Sequence, residues 1–182
     1  VAASTPSKAV RAFVTPIQAA LSCFATGKVT VDQYRPGPEG VLALNRGASV
    51  RLNGPERVEL SITMRYTIRE ADDQHVGPWK VTTTGWIYGL YSRTGDPLAE
   101  YHWHPISASH VTAPHLHVPE ASMCHFPTGR VLIEDVLTLA TEHGAEPVDP
   151  RRWAKREAAN RAAFLRDATW GHAPALAPRA GA

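Results

Sequence analysis

From Arg57 to Arg69 the chain alternates without a break. Val58, Leu60, Ile62, Met64, Tyr66 and Ile68 fall on one parity, and Arg57, Glu59, Ser61, Thr63, Arg65, Thr67 and Arg69 on the other. Successive side chains of a strand point to opposite faces, so this stretch reads as a long β-strand with one buried and one solvated face. Such a strand belongs to an antiparallel sheet covered on one side, because all-parallel sheets are buried on both faces and read as continuous apolar runs.

The neighbouring segments extend the sheet. Trp79–Tyr91 is rich in Thr, Trp and Tyr, and Gly85 in its middle predicts a bulge where the alternation slips. The turn Thr94-Gly-Asp-Pro97 returns the chain into a third strand, Leu98–His104, as a hairpin or meander. Lys28–Tyr34 also alternates, ahead of the turn-rich Arg35-Pro-Gly-Pro-Glu-Gly40. Residues 105–129 read as a Pro- and His-punctuated loop with one short strand around Leu116.

Helical spacing marks the two ends. Val10, Phe13, Val14, Ile17, Leu21 and Phe24 predict a helix over Ser7–Ala25, with a kink at Pro16 or a fresh start capped by Thr15. Gly27 stands where a left-handed C-terminal residue belongs, and residues 1–6 are expected to fray. Leu132, Ile133, Val136, Leu137, Leu139 and Ala140 predict a second helix over Val131–His143, stopped by Gly144. Asp149-Pro150 opens a third, Arg151–Thr169, expected to turn Trp153, Ala158, Phe164 and Leu165 inward. Helix, then strands, then helices is the segregated order of an α+β fold. The expectation is a single domain over 1–170, an antiparallel meander packed by N-terminal and C-terminal helices, with a disordered Ala/Pro/Gly-rich tail at 171–182.

Composition removes several classes. At 182 residues and 43% hydrophobic, the chain can bury a core without a metal or disulfide. With 19 Lys and Arg against 17 Asp and Glu it is no polycation, so nucleic-acid binding would need a local patch. Cys23 and Cys124 form no metal motif and are expected as free thiols, one buried in a helix and one in a loop. The absence of a long apolar run and of a secretory signal predicts a cytoplasmic protein with no membrane partner.

The chemistry concentrates in residues 100–125, which hold six of the nine histidines. On a strand Glu100, His102 and His104 share a face; His115 and His117 repeat the arrangement, with His110 between, and Glu120 and His125 beyond. Imidazoles and carboxylates serve hydrolytic sites as metal ligands or proton carriers. Two readings follow from the residues. In one, His102, His104, His115, His117 and His125 are catalytic and need no cofactor. In the other, His102, His104, His115, His117 and Glu120 hold a divalent metal such as Zn or Fe. Neither a P-loop nor a zincin, Rossmann or α/β-hydrolase motif is present. Arg57, Arg65 and Arg69 lie on the polar parity of the long strand, with Lys80 on its neighbour, and are candidate phosphate contacts for RNA.

Four short motifs follow one another here: His102-Trp-His-Pro105, Pro114-His-Leu-His117, His125-Phe-Pro-Thr-Gly-Arg130 and Ile133-Glu-Asp-Val-Leu137. In that order, over residues 57–140, the chain distantly resembles the TumE-type toxins of bacterial toxin–antitoxin pairs. The resemblance implies a cytoplasmic protein that acts on RNA and is encoded beside a helix-turn-helix antitoxin. Metal-independent cleavage at a 2′-hydroxyl by paired imidazoles, with arginine stabilising the phosphorane, is the activity expected first. A metal-dependent hydrolase or oxygenase is the second expectation, and a non-catalytic partner-binding protein the third.

Overall fold

The computed structural model describes residues 2–71, 77–106, 111–118 and 124–167. Eight strands form one antiparallel sheet: β1 (Val29–Val31), β2 (Gly40–Leu44), β3 (Val50–Arg51), β4 (Glu59–Glu70), β5 (Trp79–Tyr91), β6 (Pro97–Trp103), β7 (His115–His117) and β8 (Phe126–Pro127). The order is β1-β2-β4-β5-β6-β7-β8, with β3 also paired to β4, so β4 to β6 is the expected meander, which β7 and β8 extend. Three helices accompany it: α1 (Pro6–Leu21), α2 (Ile133–Glu142) and α3 (Pro150–Asp167). The fold is α+β.

Alternation decides which face is core. Val58, Leu60, Ile62, Met64, Tyr66 and Ile68 are all buried, and Trp86, Tyr88 and Leu90 of β5 join them. Val10, Ile17 and Leu21 of α1, Val136, Leu137 and Ala140 of α2, and Trp153 of α3 complete one apolar cluster. Phe24 meets Trp153 edge-on at 4.9 Å between ring centres. The other face carries Ser61, Thr63, Arg65, Thr67 and Arg69, and there Ile87 is 42% exposed. Gly85 does mark a bulge. It faces Arg65 while Thr83 faces Tyr66, leaving Thr84 as the extra residue. A Cβ on Gly85 would stand 3.0 Å from the Trp103 carbonyl oxygen, so the close strand approach itself calls for glycine.

The helices and the N-terminal segment depart from expectation in places. Of the two readings at Pro16 the fresh start is excluded: α1 is one helix through Pro16, and its N-cap is Thr5 with Pro6 in the first turn. The Thr15 hydroxyl bonds back to the Arg11 carbonyl at 2.7 Å instead of capping a new helix. The helix stops at Leu21 with Ser22 as C-cap, so Gly27 is not its left-handed terminator. Gly27 is instead a packing glycine, whose Cβ would lie 2.9 Å from Val50 Cγ2. The N-terminal segment is tied down, not frayed, at Ala3, which exchanges backbone hydrogen bonds of 2.7 and 3.1 Å with Trp79.

On α3 the inward stripe is Trp153, Asn160 and Phe164, while Ala158 is exposed and Leu165 is 78% exposed. At about 100° per residue, steps of seven and eleven return near Trp153, whereas steps of five and twelve land roughly 120–140° away. Asp149 caps the helix as expected, accepting from the Arg151 and Arg152 amides. Cys23 is buried just past the end of α1, Cys124 is exposed, and both are free. The 171–182 tail lies outside the described residues.

Burial of the phenols has a measurable consequence. The Tyr66 hydroxyl donates to the Gln33 carbonyl, and burial pushes its pKa up to about 12; Tyr88, Tyr91 and Tyr101 are raised for the same first reason. An unfolded phenol ionises near pH 10, before the folded one, so the stabilisation is complete below pH 10 and is lost as pH rises toward 12. Most of the phenolate absorbance should therefore rise together with loss of the folded signal. Most of it appearing well ahead of unfolding would show that these four rings are not sealed.

Candidate functional site

The site forms because three short strands present alternate residues on the outer face. His102 on β6 pairs directly with His115 on β7, and Glu100 with His117. On the other side of β7, His115 faces Pro127 and Leu116 faces Phe126, which continues the register to place His125 beside His117. Five imidazoles therefore occupy adjacent sheet positions. Ring centres are 5.6 Å apart for His102–His115, 4.6 Å for His102–His117, 5.1 Å for His104–His115 and 4.6 Å for His117–His125.

His115 is the centre of the cluster and is fully buried. Its Nδ1 lies 2.9 Å from the Ala113 carbonyl oxygen. A carbonyl only accepts, so Nδ1 carries the hydrogen and Nε2 keeps its lone pair. Among the described residues that buried Nε2 has no hydrogen-bond partner, and neither has the buried Nε2 of His102. Burial lowers the pKa of both rings: His102 falls to about 4, helped by His117, and His115 is lowered despite its bond to Ala113. Near neutral pH both are neutral imidazoles.

Two groups of three bring their ligand atoms within 4.8 Å of one another: His102, His104 and His115, and His115, His117 and His125. His115 belongs to both. All five histidines singled out in the sequence thus converge. Glu120 and His110 lie outside the described residues, and no described carboxylate joins either group.

The basic candidates are only partly gathered. Arg65 and Arg69 sit on the outer face of β4, and Lys80 pairs with Arg69 across to β5. Arg65 faces Gly85, and continuing the β5–β6 register by one residue puts Gly85 opposite His104, so Arg65 shares a row with the cluster. Arg57 does not belong with them. It precedes β4 with φ at +54°, a left-handed conformation that places it outside the strand. Arg65 also approaches Glu39 at 3.9 Å, a weak exposed pair.

Glu100 has a support that sequence reading missed. Tyr91 donates its hydroxyl to Glu100 Oε1 at 2.8 Å, and its ring lies across Gly89, where a Cβ would come within 2.3 Å of the phenol oxygen. The glycine leaves room for the tyrosine that holds the carboxylate beside His117. The signal was Gly89 and Tyr91 two residues apart, one strand away from Glu100. Comparisons of the chain with protein-family models, with curated proteins and with solved structures each found no match.

Proposed function

We propose that the five-histidine face binds a transition-metal ion and that the protein is a metal-dependent hydrolase working on the outer side of the sheet. One observation carries the reading: the buried Nε2 atoms of His102 and His115, without hydrogen-bond partners among the described residues, lie inside overlapping groups of three imidazoles. Leaving such a buried polar atom without a hydrogen bond costs about 1–3 kcal/mol, a cost that metal ligation removes. Low imidazole pKa values suit ligands, which must be neutral to bind. The Ala113 carbonyl fixes the His115 tautomer in the way ligating histidines are commonly held.

Three of these imidazoles would hold a zinc-type ion, which when bound would supply water activation at neutral pH. Among the described residues the ligand set is all imidazole, a donor set that zinc hydrolases use. Because His115 offers only Nε2 while Nδ1 serves Ala113, the two groups are alternative seats around one shared ligand.

A second reading rests on Arg65, Arg69 and Lys80 sharing the outer face with the imidazoles. There the protein is a toxin-like ribonuclease that cleaves RNA without metal, with a helix-turn-helix antitoxin as partner. Elemental analysis of the purified protein, followed by cleavage of RNA and of a simple phosphodiester with and without chelator, separates the two. The metal reading expects bound zinc, or activity restored by Zn²⁺ or Co²⁺ after chelation. RNA cleavage that survives chelation, with growth arrest relieved by the neighbouring gene, would put the second reading first.

A further inference from the structure

An apolar cavity lies on the opposite side of the sheet from the histidines, between the inner face and the helices. It encloses about 210 Å³ and is walled by Phe13 and Ile17 of α1, Met64 of β4, Tyr88 of β5 and Phe164 of α3. A cavity of about 150 Å³ accepts benzene, so this one has room for a phenyl ring with a short chain. Among the described residues around it one is a cation, Arg130. Its guanidinium lies 5.2 Å from the centre of the Phe164 ring, and Nη2 reaches the Thr83 hydroxyl at 3.4 Å. Burial draws the guanidinium out of water and lowers its pKa.

We infer that this cavity is a second binding site, for a small apolar carboxylic acid whose carboxylate meets Arg130 and whose hydrocarbon body lies among Phe13, Ile17, Met64 and Phe164. A planar guanidinium is the side chain best suited to grip a carboxylate with paired hydrogen bonds. Apolar enclosure with a few polar groups in its wall is the usual form of a small-molecule site. Tyr88 lines the same wall. Glu134 also lines it, but its carboxylate accepts from the Asn160 amide at 2.6 Å and burial raises its pKa, which weakens its repulsion of an entering anion. Nothing here depends on the histidine face, so either reading of that face leaves the inference standing.

The test uses the full chain treated with chelator, titrated calorimetrically with 3-phenylpropionate and with the uncharged 3-phenylpropan-1-ol. Saturable one-to-one binding of the acid is expected, with the alcohol at least about tenfold weaker, as loss of a hydrogen bond to a charged group predicts. Arg130→Met should weaken the acid by about the same factor, bringing it level with the alcohol. Ala163→Phe, which fills the cavity from α3, should abolish binding of both. If Arg130→Met fails to fold, the acid–alcohol comparison and Ala163→Phe decide. No saturable binding of the acid, equal affinity for the alcohol, or undiminished binding to Ala163→Phe would overturn the inference.

Discussion

Zn²⁺ added to chelator-treated protein should raise its melting temperature, and His115→Ala should remove most of the rise. A ligand that binds only the folded state stabilises it by about 2.7 kcal/mol at a hundredfold excess over its dissociation constant. In a chain of this size that corresponds to roughly 5–10 °C. His115 is the variant of choice because it is the one imidazole common to both three-histidine groups. His104→Ala and His125→Ala each touch a single group, so whichever abolishes the shift identifies the seat of the ion. The visible spectrum of the Co²⁺ form reports the same geometry independently of stability. If none of Zn²⁺, Co²⁺ or Fe²⁺ moves the melt of the wild type, the metal reading falls and the metal-independent one takes its place.

The parts of this fold that were legible in the sequence are those governed by period. The alternation of β4 set its buried face, and a glycine inside β5 marked the bulge, because both signals depend only on local backbone geometry. β2, β3 and β8 went unread for the opposite reason. β3 and β8 are two residues each, and β2 is a short apolar run following a turn, too little for any period to show. On α3 the apolar residues Ala158 and Leu165 were assigned inward by type, yet the inward stripe includes the polar Asn160, whose amide binds Glu134 and the Pro16 carbonyl. Tertiary hydrogen bonding there outranked hydrophobicity.

The histidine site was half legible. Each His-x-His pair declared a shared face, since side chains two apart on a strand must project together. What brings the two pairs together is the register of β6 against β7, and no tight-turn signature between residues 104 and 114 announced it. His125 arrives through β8, a strand the sequence did not show. Arg57 was misread because a left-handed residue breaks a strand without disturbing the apparent alternation.

The two faces of the sheet should respond very differently to truncation. Leu60 is fully buried and paired across β4–β5 with Leu90, also fully buried. Leu60→Ala should cost about 2–5 kcal/mol in denaturant unfolding, through lost transfer energy and the cavity left behind. That is a large share of the roughly 5–15 kcal/mol that holds a domain folded. Thr63→Ala, three residues on and opposite the exposed Ile87, should stay within about 0.5 kcal/mol. Leu60 and Leu90 touch one cluster, so their double alanine variant should depart from additivity, whereas Leu60 with Thr63 should not. The contrast bears on the site as well as the fold. A substrate can reach the imidazoles of β6 and β7 only if the outer face is open along the neighbouring strands. Equal losses from Leu60→Ala and Thr63→Ala would mean that both faces are covered in solution, and the histidines would then line an interface instead of a catalytic surface.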